Sequence, residues 1–195
     1  KTTLLGALTG MRPASTGEIR MNGRNYYQEY EVFRSLIGYV PQEDIVHLDL
    51  TIREVLYYSA RLRMPDDTSE TEINDLIDNV MKELELSNRA DIMVRNLSGG
   101  QRKRVSIGVE LLTKPSLFFL DEPTSGLDPG LEKNMMQMLG KISRQGRTIL
   151  VVTHATYNIH LCDKVIFLGE EGRVVFFGTP VEALDYFKVN DFTEI

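Results

Sequence analysis

The chain has 195 residues, enough for one domain with a real hydrophobic core. Its 42% hydrophobic and 26% charged residues are those of an ordinary water-soluble fold, and its net charge of −6 argues against a nucleic-acid-binding surface, which is usually basic. One cysteine, Cys162, excludes an internal disulfide; no apolar run of about 18 residues marks a membrane span, and nothing at the start resembles a signal peptide.

In chain order, residues 3–9 read as a short helix closed by Gly10. Residues 18–21 read as a strand, and Asn22-Gly23 as a tight turn. Residues 36–40 form an apolar run ended by Pro41, the pattern of a buried strand, with Gln42 in the loop beyond. Thr51 and Glu54 have capping-box spacing at the head of a helix that places Val55, Ser59 and Leu62 on one face and ends at Pro65. Ser69 and Glu72 repeat that spacing, followed by Ile73, Leu76, Ile77, Val80, Met81 and Leu84 at helical period. Asp66, Asp67, Glu70, Glu72, Asp75 and Asp78 read as a solvated face.

Ser98 begins a helix running to about Thr113. A short buried strand at 117–120 follows. Leu131, Met135, Met138 and Ile142 mark another helix, with the methionines as core packing. Residues 147–152, 164–168 and 173–177 read as strands, the last two at hairpin spacing about Gly172. Phe119, Val151 and Ile166 are expected on central strands. Cys162 sits in an apolar stretch and reads as a buried structural thiol. Strands alternating with helices define an α/β fold with a mostly parallel sheet, interrupted by a helical stretch from about residue 50.

The chemistry concentrates in four places. Lys1-Thr2-Thr3 has the form of the end of a glycine-rich phosphate loop, where Lys reaches the β- and γ-phosphates, a hydroxyl binds Mg²⁺ and the helix N-terminus favours an anion. The glycine half is absent, so the chain reads as a fragment with its natural N-terminal portion missing. Ser98, Gly99 and Gly100 open a helix with free N–H groups and no side chains to obstruct a phosphate. Asp121 and Glu122 end an apolar strand, where α/β sheets bind ligands; Asp121 suits a metal-holding role and Glu122 suits polarising an attacking water, since adjacent strand residues point in opposite directions. His154 follows the 148–152 strand.

Read together, "LSGGQRKR" (97–104) and "LDEPTSGLD" (120–128) in this order resemble the signature, Walker B and D-loop segments of the ATP-binding cassette (ABC) ATPases. The resemblance implies an α/β P-loop NTPase fold over residues 1–195, with 1–49 and 114–195 as catalytic core and 50–113 as an inserted helical subdomain carrying the signature. It implies ATP and Mg²⁺ as ligands. Lys1, Thr2 and Thr3 would bind phosphates, and Thr2, Gln42 and Asp121 would serve the metal. Glu122, His154 and Gln42 would be catalytic, with His154 as the switch histidine at the γ-phosphate and Gln42 as the Q-loop glutamine sensing Mg²⁺ and water. Asp128 matches the D-loop aspartate, which passes information between sites. Ser98, Gly99, Gly100 and Gln101 would close on ATP held by a second subunit, which implies a head-to-tail pair around two ATP molecules. His47 and His160 match nothing in the pattern.

Residues 50–65, 99–128 and 172–187 resemble the G subfamily of half transporters, although Gln101 stands where many of that group have Glu. That branch implies ATP hydrolysis driving movement of a substrate through a transmembrane domain, in the same or a partner chain, with this domain membrane-associated on the cytoplasmic face and a groove beside the Gln42 loop receiving the coupling helix. A bacterial relative of similar architecture is equally compatible. The rivals are a soluble ABC ATPase acting on ribosomes or DNA, opposed by the acidic balance and the G-type stretches, and a regulatory domain that binds nucleotide without hydrolysing it, opposed by Glu122 and His154. Without the glycine loop, the 195-residue chain alone is expected to bind ATP weakly and to be a poor enzyme.

Overall fold

A computed structural model describes residues 2–195; Lys1, expected at the phosphates, lies outside the described residues. The chain starts with α1 (Thr2–Leu8), then a small hairpin of β1 (Arg20–Met21) and β2 (Arg24–Asn25), and α2 (Tyr30–Phe33). The turn between β1 and β2 has positive φ at both Asn22 (52°) and Gly23 (79°), as a two-residue hairpin requires. Residues 18 and 19, expected in the first strand, fall before it.

The central sheet is β3 (Ile37–Val40), β4 (Leu117–Asp121) and β5 (Thr148–Val152), all parallel and in spatial order β3-β4-β5. Tyr39, Phe119 and Leu150 lie side by side across it. Phe118, Phe119 and Leu120 are buried, as a strand covered on both faces must be. Gly38 is fixed by close packing: a Cβ there would come within 2.4 Å of the Phe118 ring. The fold is thus the α/β class with a parallel sheet that the alternation of elements implied.

Between β3 and β4 lie α3 (Ile52–Arg63), α4 (Glu70–Glu83) and α5 (Gly99–Leu111). Both expected capping boxes form: Thr51 with Glu54, and Ser69 with Glu72. The helices meet over Ile52, Leu56, Ile73, Ile77, Val80 and Leu84, each buried, and each worth about 1.5–3 kcal/mol for a fully buried aliphatic side chain. Gly108 of α5 lets that helix approach, since its Cβ would meet Leu84 at 2.9 Å and Leu56 at 3.2 Å. The ends of the stretch are tied together by backbone bonds, Val94 N–H to Leu50 and Arg95 N–H to Leu48. Of the face placed at Val55, Ser59 and Leu62, Val55 is buried and Leu62 is 87% exposed, because the inward stripe of α3 runs through Ile52, Val55, Leu56 and Ala60. The six acidic residues of 66–78 are all exposed.

After β4 comes α6 (Pro129–Ser143), whose Met135, Met136, Met138 and Ile142 pack into the core while Leu131 is exposed. Then β6 (Val165–Leu168) and β7 (Val174–Gly178) form an antiparallel hairpin, followed by α7 (Pro180–Phe187). The expectation that Ile166 belongs to a central strand fails: β6 pairs only with β7 among the described strands, and Ile166 is 50% exposed. The inner face of the hairpin is closed instead by Phe167, Phe176, Phe187 and Phe192 in an aromatic cluster. Cys162 is half-buried and packs against the main core; burial, then the nearby Asp163 charge, pushes its thiol pKa up.

Candidate functional site

Three parallel strands deliver three polar residues to one end of the sheet. Gln42 follows β3 by two residues, Glu122 immediately follows β4, and His154 follows β5 by two. Parallel alignment puts all of these at carboxyl ends, where open α/β sheets bind ligands. Their side chains meet: Glu122 Oε1 lies 2.5 Å from His154 Nε2, and Gln42 Nε2 donates to Glu122 Oε2 at 3.5 Å. Glu122 is 18% exposed at its side chain and His154 70%, so the carboxylate is sheltered and the imidazole faces outward.

Glu122 reaches this position by a backbone reversal. Asp121 still belongs to β4, opposite Val152, but Glu122 has φ of 48°, in the left-handed region that non-glycine residues rarely adopt. Its N–H donates to Val152 at 2.8 Å, anchoring the reversal to the neighbouring strand. Simple strand alternation therefore separates Asp121 from Glu122 only in part; the left-handed turn finishes the separation. Such conformations cluster at functional sites, where surrounding structure holds them against a cost of about 1–3 kcal/mol.

Asp121 is buried, 4% exposed. Its charge, after burial, contributes to raising the Tyr39 pKa above the ordinary tyrosine value. Thr2 and Thr3 occupy the first turn of α1, both exposed. Among the described residues no cluster of three or more His, Cys, Asp or Glu side chains could hold a metal. The expected metal donors Thr2, Gln42 and Asp121 are a hydroxyl, an amide oxygen and a carboxylate. All are hard oxygens, a set with one carboxylate that suits Mg²⁺, which keeps several waters and binds through one or two carboxylates plus phosphate.

The Ser98 segment opens α5. Ser98 caps α5, its hydroxyl accepting from Gln101 N–H while its own N–H donates to Gln101 Oε1 at 3.1 Å. Gln101 thus completes a capping box in the place where Glu is the other common choice. Gly99 is exposed with open space where a Cβ would stand, and Gly100 faces Leu127. Asp128 caps α6, accepting from Gly130 and Leu131 N–H groups at 3.0 and 3.1 Å.

Two polar links escape a motif reading. Lys103, 7% exposed, holds the Gln42 loop through Pro41, Gln42 and Asp44. Asn158 donates to Glu132 at 2.7 Å, both buried, joining the segment after His154 to α6. The signal for Lys103 was present as a lysine inside the Val105-Ser106-Ile107 buried face of a helix, where a charge needs partners.

Taken as a whole, the architecture is that of an α/β P-loop NTPase. Residues 1–125 match the family model described as "ABC transporter". The chain is 44% identical over 93% of its length to "ABC transporter ATP-binding/permease protein Rv1747" of Mycobacterium tuberculosis, covering 21% of that protein. It is 41% identical over 96% of its length to "ABC transporter G family member 22" of Arabidopsis thaliana, covering 26% of it. It is 40% identical, again over 96%, to the mouse "Broad substrate specificity ATP-binding cassette transporter ABCG2", covering 29%. Among solved structures, cbiO1 from Clostridium perfringens, part of the ABC transporter complex cbiONQ, superposes with TM-score 0.85 at 30% identity, covering 96% of this chain and 75% of that one. The chain belongs to the ABC transporter family and is an ATP-binding domain of it. It spans between a fifth and three-tenths of the curated relatives named here.

Proposed function

We propose that this domain hydrolyses ATP to power a transporter of the G-subfamily type, cycling between a closed, ATP-bound pair of domains and an open one. The observation that carries the reading is the junction of Gln42, Glu122 and His154 at the ends of three parallel strands. A water lined up on a γ-phosphate needs a carboxylate to polarise it and a group to hold that carboxylate in place. Glu122 supplies the first. His154 orients it and reaches outward to the phosphate, and Gln42 approaches from the opposite side.

Thr2, Gln42 and Asp121 would hold Mg²⁺ through oxygen ligands, and Lys1 and Thr3 would bind phosphate. Mg²⁺, when bound, neutralises charge developing on the β- and γ-phosphate oxygens. Ser98, Gly99, Gly100 and Gln101 would meet the ATP of a second copy or homologue. Asp128, rigidly capping α6, would communicate across that pair. We read residues 1–49 and 114–195 as a core and 50–113 as a helical subdomain; α3, α4 and α5 pack on one another within an apolar cluster that continues into β3, β4 and α6.

A transmembrane partner fits the surface beside the Gln42 loop. There a cavity of about 350 Å³ is lined by His47, Leu48, Asp49, Leu50 and Tyr58, with Ile45 79% exposed nearby. A short coupling helix would seat there, on the cytoplasmic face of a membrane. Among the described residues no helix is long and apolar enough to cross one.

The test is Glu122→Gln in the complete natural protein. Turnover falls by about 10²–10⁴-fold, the range for loss of a general base, and an ATP-bound dimer accumulates on gel filtration. Normal turnover would remove Glu122 from its assigned role.

A further inference from the structure

The loop that carries Gln42 is held from behind by a buried cation. Beyond Val40 the chain leaves the sheet, and the carbonyls of Pro41 and Gln42 no longer have a strand to accept from. Lys103 of α5 takes over. Its Nζ donates to Gln42 O at 2.7 Å and Pro41 O at 3.3 Å and lies 2.8 Å from Asp44 Oδ1. Two of the ammonium's donors are thus taken by carbonyls, and its charge is paired with Asp44. Ser106, one turn further along α5, donates to the same Asp44 oxygen at 3.1 Å. Two residues of one helix therefore grip three residues of a loop that otherwise faces solvent.

We infer that Lys103 is a positioning residue for ATP hydrolysis: by fixing the Pro41–Gln42 backbone it keeps the Gln42 amide within reach of Glu122. This rests on the hydrolytic reading of the Glu122 group. Lys103 touches neither Glu122 nor a reacting atom; it acts through Gln42. The Gln42–Glu122 contact of 3.5 Å stands at the outer limit of a hydrogen bond, so a small outward drift of the loop breaks it. The same lysine lies five residues beyond Ser98 on one rigid helix, so any tilt of α5 is transmitted to Gln42 through its side chain.

The experiment is a double-mutant cycle in the complete natural protein, reading kcat and KM for ATP. Lys103→Met keeps the length of the side chain and removes its donors. It should lower kcat about tenfold, the scale of a misplaced catalytic group, with KM unchanged. In a Gln42→Ala background the same substitution should change kcat by no more than about twofold, because the effect passes through Gln42. Asp44→Asn removes the ion pair but leaves both carbonyl contacts, and should keep kcat within about twofold of wild type. Amide hydrogen exchange in residues 43–46 should accelerate in Lys103→Met and not in Asp44→Asn, a readout independent of turnover. Should Lys103→Met fail to fold, Lys103→Gln, with two donors left, takes its place and should lie between wild type and the full loss. An unchanged kcat, or an equal loss with and without Gln42, overturns the proposal. A wild-type turnover in Glu122→Gln would instead sink the hydrolytic reading, while the exchange result would still report on the tether.

Discussion

Glu122 and His154 follow neighbouring strands, and Oε1 of one sits 2.5 Å from Nε2 of the other where Glu122 takes a left-handed backbone turn. The turn, anchored by the Glu122 N–H to Val152 O bond, converts a strand end into a clamp.

Replacing His154 by Ala removes one arm of that clamp and leaves the carboxylate free to change rotamer. ATP turnover by the complete protein should fall by about 10²-fold, the lower range for a group that orients acid–base chemistry, while nucleotide binding persists. Phosphate release and nucleotide affinity measured side by side check this; a parallel loss of both would make His154 a binding residue alone.

Gly38→Val should destabilise the sheet. The first added carbon already meets the Phe118 ring at 2.4 Å and the Pro115 ring at 3.0 Å, and Phe118 is fully buried with nowhere to move. Overpacking of this kind costs about 1–3 kcal/mol. Urea unfolding would display it as a lower midpoint with an unchanged slope.

Tyr26 is 1% exposed, its hydroxyl has no hydrogen-bond partner among the described residues, and burial, with Tyr30 and Tyr27 adding to it, pushes its pKa up to about 12. The fold favours the neutral phenol, so this contribution is fully present below pH 10 and is lost as pH rises from 10 through 12. Tyr26→Phe should flatten the alkaline fall in thermal stability over that window. Because an unpaired buried hydroxyl is costly, it should also raise stability at neutral pH by about 1 kcal/mol. A lower melting temperature at neutral pH would count against both points.

Glu85 joins two helices: Arg104 of α5 and Lys141 of α6 both bond its carboxylate, and these bonds hold its pKa below the usual 4.5. The fold thus favours the ionised form. Its contribution is present above the ordinary value and is lost as pH falls through the lowered one. In Glu85→Gln the acid limb of the stability profile should be shallower below pH 4.5 than in wild type. An unchanged limb would leave Glu85 without a part in acid sensitivity.

Local rules made much of the fold readable. Thr51 and Ser69 each cap a helix where their spacing to Glu54 and Glu72 said they would, because a capping box is satisfied within four residues, and Ser98 opens its helix as expected. The hairpins about Gly23 and Gly172 followed from glycine at turns that need positive φ. What local pattern could not supply was tertiary. Nothing in the period of residues 164–168 tells a central strand from one paired only to its hairpin neighbour, so Ile166 was misplaced. Leu62 fits a helical stripe by spacing and still faces outward, since the neighbouring helices lie on the other side. The four-residue α2 and the closing α7 lacked a long enough apolar period to stand out. At the site, motif wording identified Gln42, Glu122 and His154, but their junction, and the Lys103 grip behind it, join residues 32 to 80 positions apart and exist only in three dimensions.

The lone sulfhydryl also has a practical side. Cys162 is half-buried and its thiol is held protonated by burial and the Asp163 charge, so at neutral pH it is a sluggish nucleophile toward alkylating reagents. A second cysteine placed on an exposed position such as Leu62 of α3 would react first, and the domain can carry a fluorophore or spin probe there without stripping its native sulfur. Paired with a second probe on the sheet, such a label gives the distance between α3 and the sheet while Cys162 stays in place.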